Sequence, residues 1–221
     1  MFFNQRPGQL LTIFLFSFMF FLFLFCQERE MEPIEDFQRI PPTTAKDSLF
    51  TGVFSPLDGT WKGKFYIYQD TLGQRSTPSP PPRQLDSAYF QQLPLKLVQT
   101  IQVQQNYVSL TPYFQRVIIR DEYLDADGNK KVVESQGANK IQKGKLWCVV
   151  KKPDELVVHR GTLLDSGVYI WQREQSSPLK KEFFYEVVQG NLYQIWGWGY
   201  YDEDNPLLSP RWWFHGRYTR K

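Results

Sequence analysis

From residue 55 onward, apolar and polar positions alternate with a period of two almost without a break. Trp61, Gly63, Phe65 and Ile67 share one face of a run whose other face carries Lys62, Lys64, Tyr66 and Tyr68. That is the pattern of a half-buried strand. Comparable runs at 98–103, 116–124, 131–133, 146–151, 155–160, 168–172, 182–188, 192–201 and 211–220 bring the total to nine or ten strands. Asp125-Ala126-Asp127-Gly128-Asn129 and Gln189-Gly190-Asn191 mark two hairpin turns. No helical period competes. A meander this long must hide its edges, and closing on itself does so. The last run, with Trp212, Phe214, Gly216 and Tyr218, is placed to pair with the first. The expected fold is all-β: a single closed antiparallel barrel of eight to ten strands over residues 56–221.

Two stretches break the pattern. Residues 71–84 contain Pro78, Pro80, Pro81 and Pro82 and cannot form a central strand. They read as a long loop, followed by a short helix around 84–92, and serve either as a lid or as a tolerated insertion. Residues 27–55 are polar, carry Pro33, Pro41 and Pro42, and read as a linker. Ahead of them, residues 1–9 hold one base, Arg6, and no acid. Residues 10–25 are apolar except for Thr12 and Ser17, shorter than the ~20 residues of a usual spanning helix. Cys26 and a charged segment come next. This layout resembles a bacterial lipoprotein signal, although Phe25 stands where such signals have a small residue. Residues 1–26 are therefore expected to be a signal peptide or a lipoprotein or membrane anchor. Cys26 is the expected lipid attachment, and the product is expected to be exported as a periplasmic or outer-membrane lipoprotein.

Composition narrows the chemistry. Nine of the 18 Phe precede residue 26, yet the remaining residues still hold every Trp and about one aromatic in seven, which excludes a disordered body. The formal charge is +3 with acids and bases interspersed. No basic stripe is visible along the chain, so a nucleic-acid partner is not expected. Two His and two Cys at scattered positions offer no metal site. Cys148, inside Leu146-Trp147-Cys148-Val149-Val150, reads as a small buried hydrophobe. No nucleophile elbow, phosphate loop, dinucleotide fingerprint or zinc-protease motif occurs. Neither His159 nor His215 has a Cys, Ser or second His nearby in sequence. No catalytic residue is assigned. A barrel of this size can hold one small ligand. Trp196, Trp198 and Tyr200 share one face of their run, opposite Tyr193, Ile195, Gly197 and Gly199. Trp196 and Trp198 are accordingly either a stacking surface for that ligand or ordinary core.

The most specific string is Thr111-Pro112-Tyr113-Phe114-Gln115-Arg116-Val117, after a strand ending Val103-Gln104-Gln105. It resembles the CpcT/CpeT-type phycobiliprotein chromophore lyases, calycin (lipocalin-like) barrels in which a strand ending Glu-Gln leads into Pro-Tyr-Arg-Gln-Arg and an apolar residue. Pro112, Tyr113, Gln115, Arg116 and Val117 match. Gln104 stands in place of the Glu, and Phe114 in place of the first Arg. Leu146-Trp147-Cys148-Val149, Gly161-Thr162 and Trp212-Trp213-Phe214 follow in the family's order. The resemblance implies a linear tetrapyrrole (bilin) as ligand and its attachment to a cysteine of an acceptor protein, without a further cofactor. It implies Gln104, Gln105, Tyr113, Gln115 and Arg116 as binding residues, Arg116 forking onto a propionate. The alternative is an exported lipocalin-like lipoprotein that binds another hydrophobic small molecule without catalysis.

Overall fold

The computed structural model describes residues 37–77 and 79–221. The expected leader, Cys26 and the first part of the expected linker lie outside the described residues. Ten strands follow one another: β1 (Gly59–Asp70), β2 (Leu95–Thr111), β3 (Phe114–Leu124), β4 (Lys130–Gln142), β5 (Lys145–Lys151), β6 (Leu156–Asp165), β7 (Val168–Ser176), β8 (Leu179–Gln189), β9 (Leu192–Tyr201) and β10 (Trp212–Arg220). Each runs antiparallel to its neighbours, and β10 returns to β1 to close the barrel. The seam pairs Trp61 with Arg220, Phe65 with Gly216 and Gln69 with Trp212. This is an all-β closed barrel of lipocalin-like type, as the alternation predicts, and closure leaves no strand edge unpaired.

One strand is longer than its pattern suggests. β2 continues past Gln104-Gln105 to Thr111, with Tyr107 buried inside while Val108 and Leu110 stand exposed on the outer face. Apolar residues on both faces hide the period there.

Residues 45–55, which the sequence assigns to the linker, form a stopper instead, together with Pro56 and Leu57. Two 3-10 turns (Ala45–Phe50 and Ser55–Leu57) set Val53, Phe54 and Leu57 against Trp61, Tyr107, Tyr169, Tyr193 and Tyr218 at one end of the barrel. Polar contacts fasten the stopper. The Trp61 indole donates to the Leu57 carbonyl at 2.6 Å, and the Tyr169 hydroxyl donates to the Val53 carbonyl at 2.7 Å. The Arg220 guanidinium lies 4.6 Å from the Trp61 ring centre and donates to the Pro56 carbonyl at 2.7 Å. Asp47 is buried and accepts the Gly144 N–H at 2.6 Å. Burial pushes its carboxyl up, but hydrogen bonds from Gly144 and Thr44 outweigh that and hold it low.

The long loop also finds a place. A short helix, α1 (Ser87–Gln91), is capped by Asp86, whose carboxylate accepts the Tyr89 N–H at 2.8 Å. It lays Tyr89 and Phe90 on Trp213, with ring centres 5.9 and 5.6 Å apart. Gln74 donates to the carbonyls of Asn205 and Ser209, and the Arg75 N–H donates to the Ser209 hydroxyl. The loop is thus tied to the 205–209 segment, and its helix packs on the outer wall.

Candidate functional site: the interior cavity

Alternation along each strand sends every second side chain inward. At the stoppered end these side chains meet and pack. Further along they leave a cavity of about 430 Å³, within the ~300–1,000 Å³ typical of small-molecule sites. Its walls are apolar on nearly every side: Phe65 and Ile67 from β1, Ile101 from β2, Ile119 from β3, Val150 from β5, Val157 from β6, Phe184 from β8 and Phe214 from β10. The Phe214 ring centre lies 5.9 Å from that of Phe65 and 5.6 Å from that of Phe184. Gly197 and Gly199 face inward but leave no room for a ligand. A Cβ on Gly197 would fall 2.5 Å from the Phe184 ring, and one on Gly199 would fall 2.7 Å from the Tyr201 ring. These glycines seat two of the aromatic rings that border the cavity.

Into this apolar chamber project seven charged side chains: Asp121, Lys152, Glu155, Arg173, Lys180, Glu182 and Glu186. Four of them form a network away from the stopper. Arg173, with its side chain 6 % exposed, donates to Glu155 at 2.6 Å and lies 3.8 Å from Glu182. Lys180 also pairs with Glu155. Hydrogen bonding from Arg173, against some cost of burial and with further help from Lys180, takes the Glu155 carboxyl down to about 2. Glu182 accepts the Tyr201 hydroxyl at 2.7 Å and lies 2.9 Å from His159 Nε2. Burial pushes Glu182 up, but His159, Tyr201 and Arg173 together hold it low. Asp121 is raised by burial, which the Lys152 charge only partly offsets.

Glu186 forms no ion pair among the described residues. Its Oε2 accepts the Tyr193 hydroxyl at 2.8 Å and the Trp171 indole N–H at 3.0 Å. Oε1 forms no hydrogen bond among the described residues. The side chain lines the cavity, so the surface that leaves it only partly buried opens inward rather than to bulk solvent. Burial pushes its carboxyl up to about 7 despite the two donors. Cys148 and His159 face each other across the β5–β6 ladder. Burial and the neighbouring Glu186 push the Cys148 thiol up, which keeps it protonated and inert, as expected of a small buried hydrophobe.

Of the residues proposed from sequence, Gln105 borders the cavity, where its Oε1 accepts the Tyr107 hydroxyl at 3.1 Å. The others lie elsewhere. Gln104 and Arg116 are exposed on the outer face. Gln104 lines a shallow outer groove of about 540 Å³ with Lys62, Lys64, Arg120 and Lys221, bases that strand pairing gathers from distant parts of the chain. Gln115 points inward and is fully buried, but at the stopper. It donates to the Phe54 carbonyl at 2.9 Å and to Asp58 at 3.0 Å, and accepts from the Asn139 amide at 2.9 Å. Tyr113 sits in the β2–β3 turn, its hydroxyl 2.9 Å from that of Thr51. Trp196 and Trp198 lie on the outer wall. Trp198 stacks on Phe183 at 5.2 Å, and Trp196 stacks on His215 at 5.7 Å and packs with Leu85 from the long loop. Tyr201 lines the cavity as well. The corner at 113–116 therefore serves the sealed end of the barrel rather than the cavity lining. The charged lining has one sequence signal. Lys180, Glu182 and Glu186 alternate in phase with Phe184 along β8.

No protein-family model matches the chain, and no curated protein does. The family suggested by 112–117 therefore stands as a resemblance. Similar solved structures include a redesigned β-barrel, mFAP0, bound to DFHBI, with 12 % identity over 75 % of this chain and 99 % of that one, at a TM-score of 0.35. EF1p2_mFAP2b bound to DFHBI matches with 12 % identity over 78 % of this chain and 99 % of that one, at 0.37. A further redesigned barrel, b11L5F_LGL, matches with 13 % identity over 77 % and 96 %, at 0.34. At such scores the barrel assignment rests on this chain's own strand order.

Proposed function

We propose that this protein is a binding barrel that encloses one small, largely apolar organic molecule and keeps it from water. The observation that carries the reading is the cavity of about 430 Å³, sealed at one end and walled by Phe65, Phe184, Phe214 and aliphatic side chains. Burying apolar surface there contributes roughly 25 cal/mol for each Å² removed from water, while a few polar groups fix orientation. The apolar run at 10–25 and Cys26 support placing this barrel in an exported, membrane-anchored protein. A linear tetrapyrrole is the ligand that the 112–117 resemblance supports. In this cavity its pyrrole N–H groups have Glu186 and Asp121 to meet, in place of the Arg116 corner. Attachment to an acceptor protein is part of that narrower reading, and it asks for no nucleophile from the barrel itself.

The test is titration of the full-length chain with biliverdin, haem and the neutral probe N-phenyl-1-naphthylamine. Absorption follows the first two and fluorescence the third. The expected result is saturation at one equivalent by at least one of them, lost when Ile119→Trp fills the cavity in a variant with an unchanged circular dichroism spectrum. Three flat titrations, or equal binding by the filled variant, overturn the proposal. Biliverdin without a band shift removes the tetrapyrrole reading alone.

A further inference from the structure

We infer that the enclosed ligand is an organic cation, a protonated amine on an apolar frame, whose N–H is received by Glu186 Oε1 at the inner end of the cavity. This rests on the binding reading above and adds the ligand's charge.

The argument is one of unmatched charge. Among the described residues, the cavity lining holds four carboxyl groups against three Lys or Arg side chains. Arg173 and Lys180 serve Glu155, Arg173 and His159 serve Glu182, and Lys152 faces Asp121. Glu186 is the acid left over. The groups that feel its charge are Tyr107 from β2, Cys148 from β5, Tyr169 from β7, Tyr193 from β9 and Tyr218 from β10, and burial holds every one of them in its neutral form. Among the remaining strands, Asp121 of β3 is matched by Lys152 and His159 of β6 by Glu182. On β8 itself, Glu182 is held by its own partners.

A buried carboxylate needs a counter-charge or a full set of donors. Glu186 has two donors, both on one oxygen, and its side chain lines the cavity. An ammonium seated there supplies the charge and the third hydrogen bond together. The aromatic faces of Phe65, Phe184 and Phe214 add attraction for a cation. A neutral N–H gains a hydrogen bond there but supplies no counter-charge, and an anionic group meets repulsion.

The same carboxyl makes the binding sensitive to pH. Free of ligand, it holds its proton up to about pH 7, and only the ionised form receives a cation. Binding therefore strengthens as pH rises through that value and weakens below it.

The test compares two probes of one outline on the full-length chain: 9-aminoacridine, a cation at neutral pH, and anthracene-9-carboxylate, an anion. At pH 8 the cation is expected to bind at least tenfold more tightly, and its affinity to fall about tenfold between pH 8 and pH 6. Glu186→Gln, with an unchanged circular dichroism spectrum, should weaken 9-aminoacridine at least tenfold and abolish the pH dependence. If the neutral probe binds but the cation has no advantage, or the variant holds 9-aminoacridine as well as the wild type, the cation inference fails and the binding reading stands. If no probe binds, the neutral one included, the binding reading itself fails.

Discussion

Glu186 makes the stability of the barrel depend on pH. Its carboxyl titrates at 4.5 in an ordinary setting and at about 7 here, because burial penalises the charged form. Below pH 4.5 folded and unfolded chains are both protonated at this site. As pH rises, the unfolded chain releases its proton first, so stability falls between 4.5 and about 7 and stays lower above that. The deficit at pH 8 is roughly 3 kcal/mol. Glu186→Gln, in the absence of ligand, should therefore unfold at a higher urea concentration than the wild type at pH 8 and show no such gain at pH 4. An equal midpoint at pH 8 would count against the burial of this group. Arg116→Ala makes the opposite kind of prediction: exposed on the outer face, it should leave ligand affinity within twofold, whereas a charge-assisted bond to a ligand would cost ~1.5–3 kcal/mol. These two residues also show what single positions reveal before folding. Arg116 stands out because it belongs to a matched string, yet its parity on β3 turns it outward. Glu186 goes unnoticed because charged residues on a strand ordinarily face water, and Phe183, Tyr185 and Val187 on the opposite face of β8 compete with Phe184 as the sign of the inner one.

The strands themselves were almost fully legible. Period-two alternation predicts all ten, and the turns at 125–129 and 189–191 form where Asp-Gly and Gly-Asn predict them, with the Asp125 N–H donating to the Asn129 carbonyl at 2.9 Å. What escaped is what has no period. The stopper at 45–57 is irregular backbone held by tertiary contacts, so its Val53 and Phe54 look like linker residues until the barrel end they fill exists. The far half of β2 escaped because Val108 and Leu110 place apolar side chains on its outer face. Closure depends on close backbone approach at the β1–β10 seam. A Cβ on Gly63 would lie 1.9 Å from the Arg217 carbonyl oxygen and 2.7 Å from the Tyr218 Cα. Gly63→Ala must push the two strands apart and should cost at least ~2 kcal/mol in chemical denaturation. A variant as stable as the wild type would mean that the seam is looser than described here.

Over the described residues, the barrel is packed shut at one end and hollow further along. Aromatic and aliphatic side chains form the walls, an ion-pair network of Glu155, Arg173, Lys180 and Glu182 lies away from the stopper, and an unmatched acid waits inside. Alternation along the chain could announce such a barrel but not whether its interior is hollow or filled, because inward side chains look alike in both cases. The distinction comes from how ten strands space those side chains, and that is a property of the closed object. Native mass spectrometry of the full-length chain, purified from its own host beside the Ile119→Trp variant, tests hollowness in use most directly. The account predicts one co-purifying small molecule per wild-type chain and none on the filled variant; a bare wild-type mass, or the same adduct on both, contradicts it.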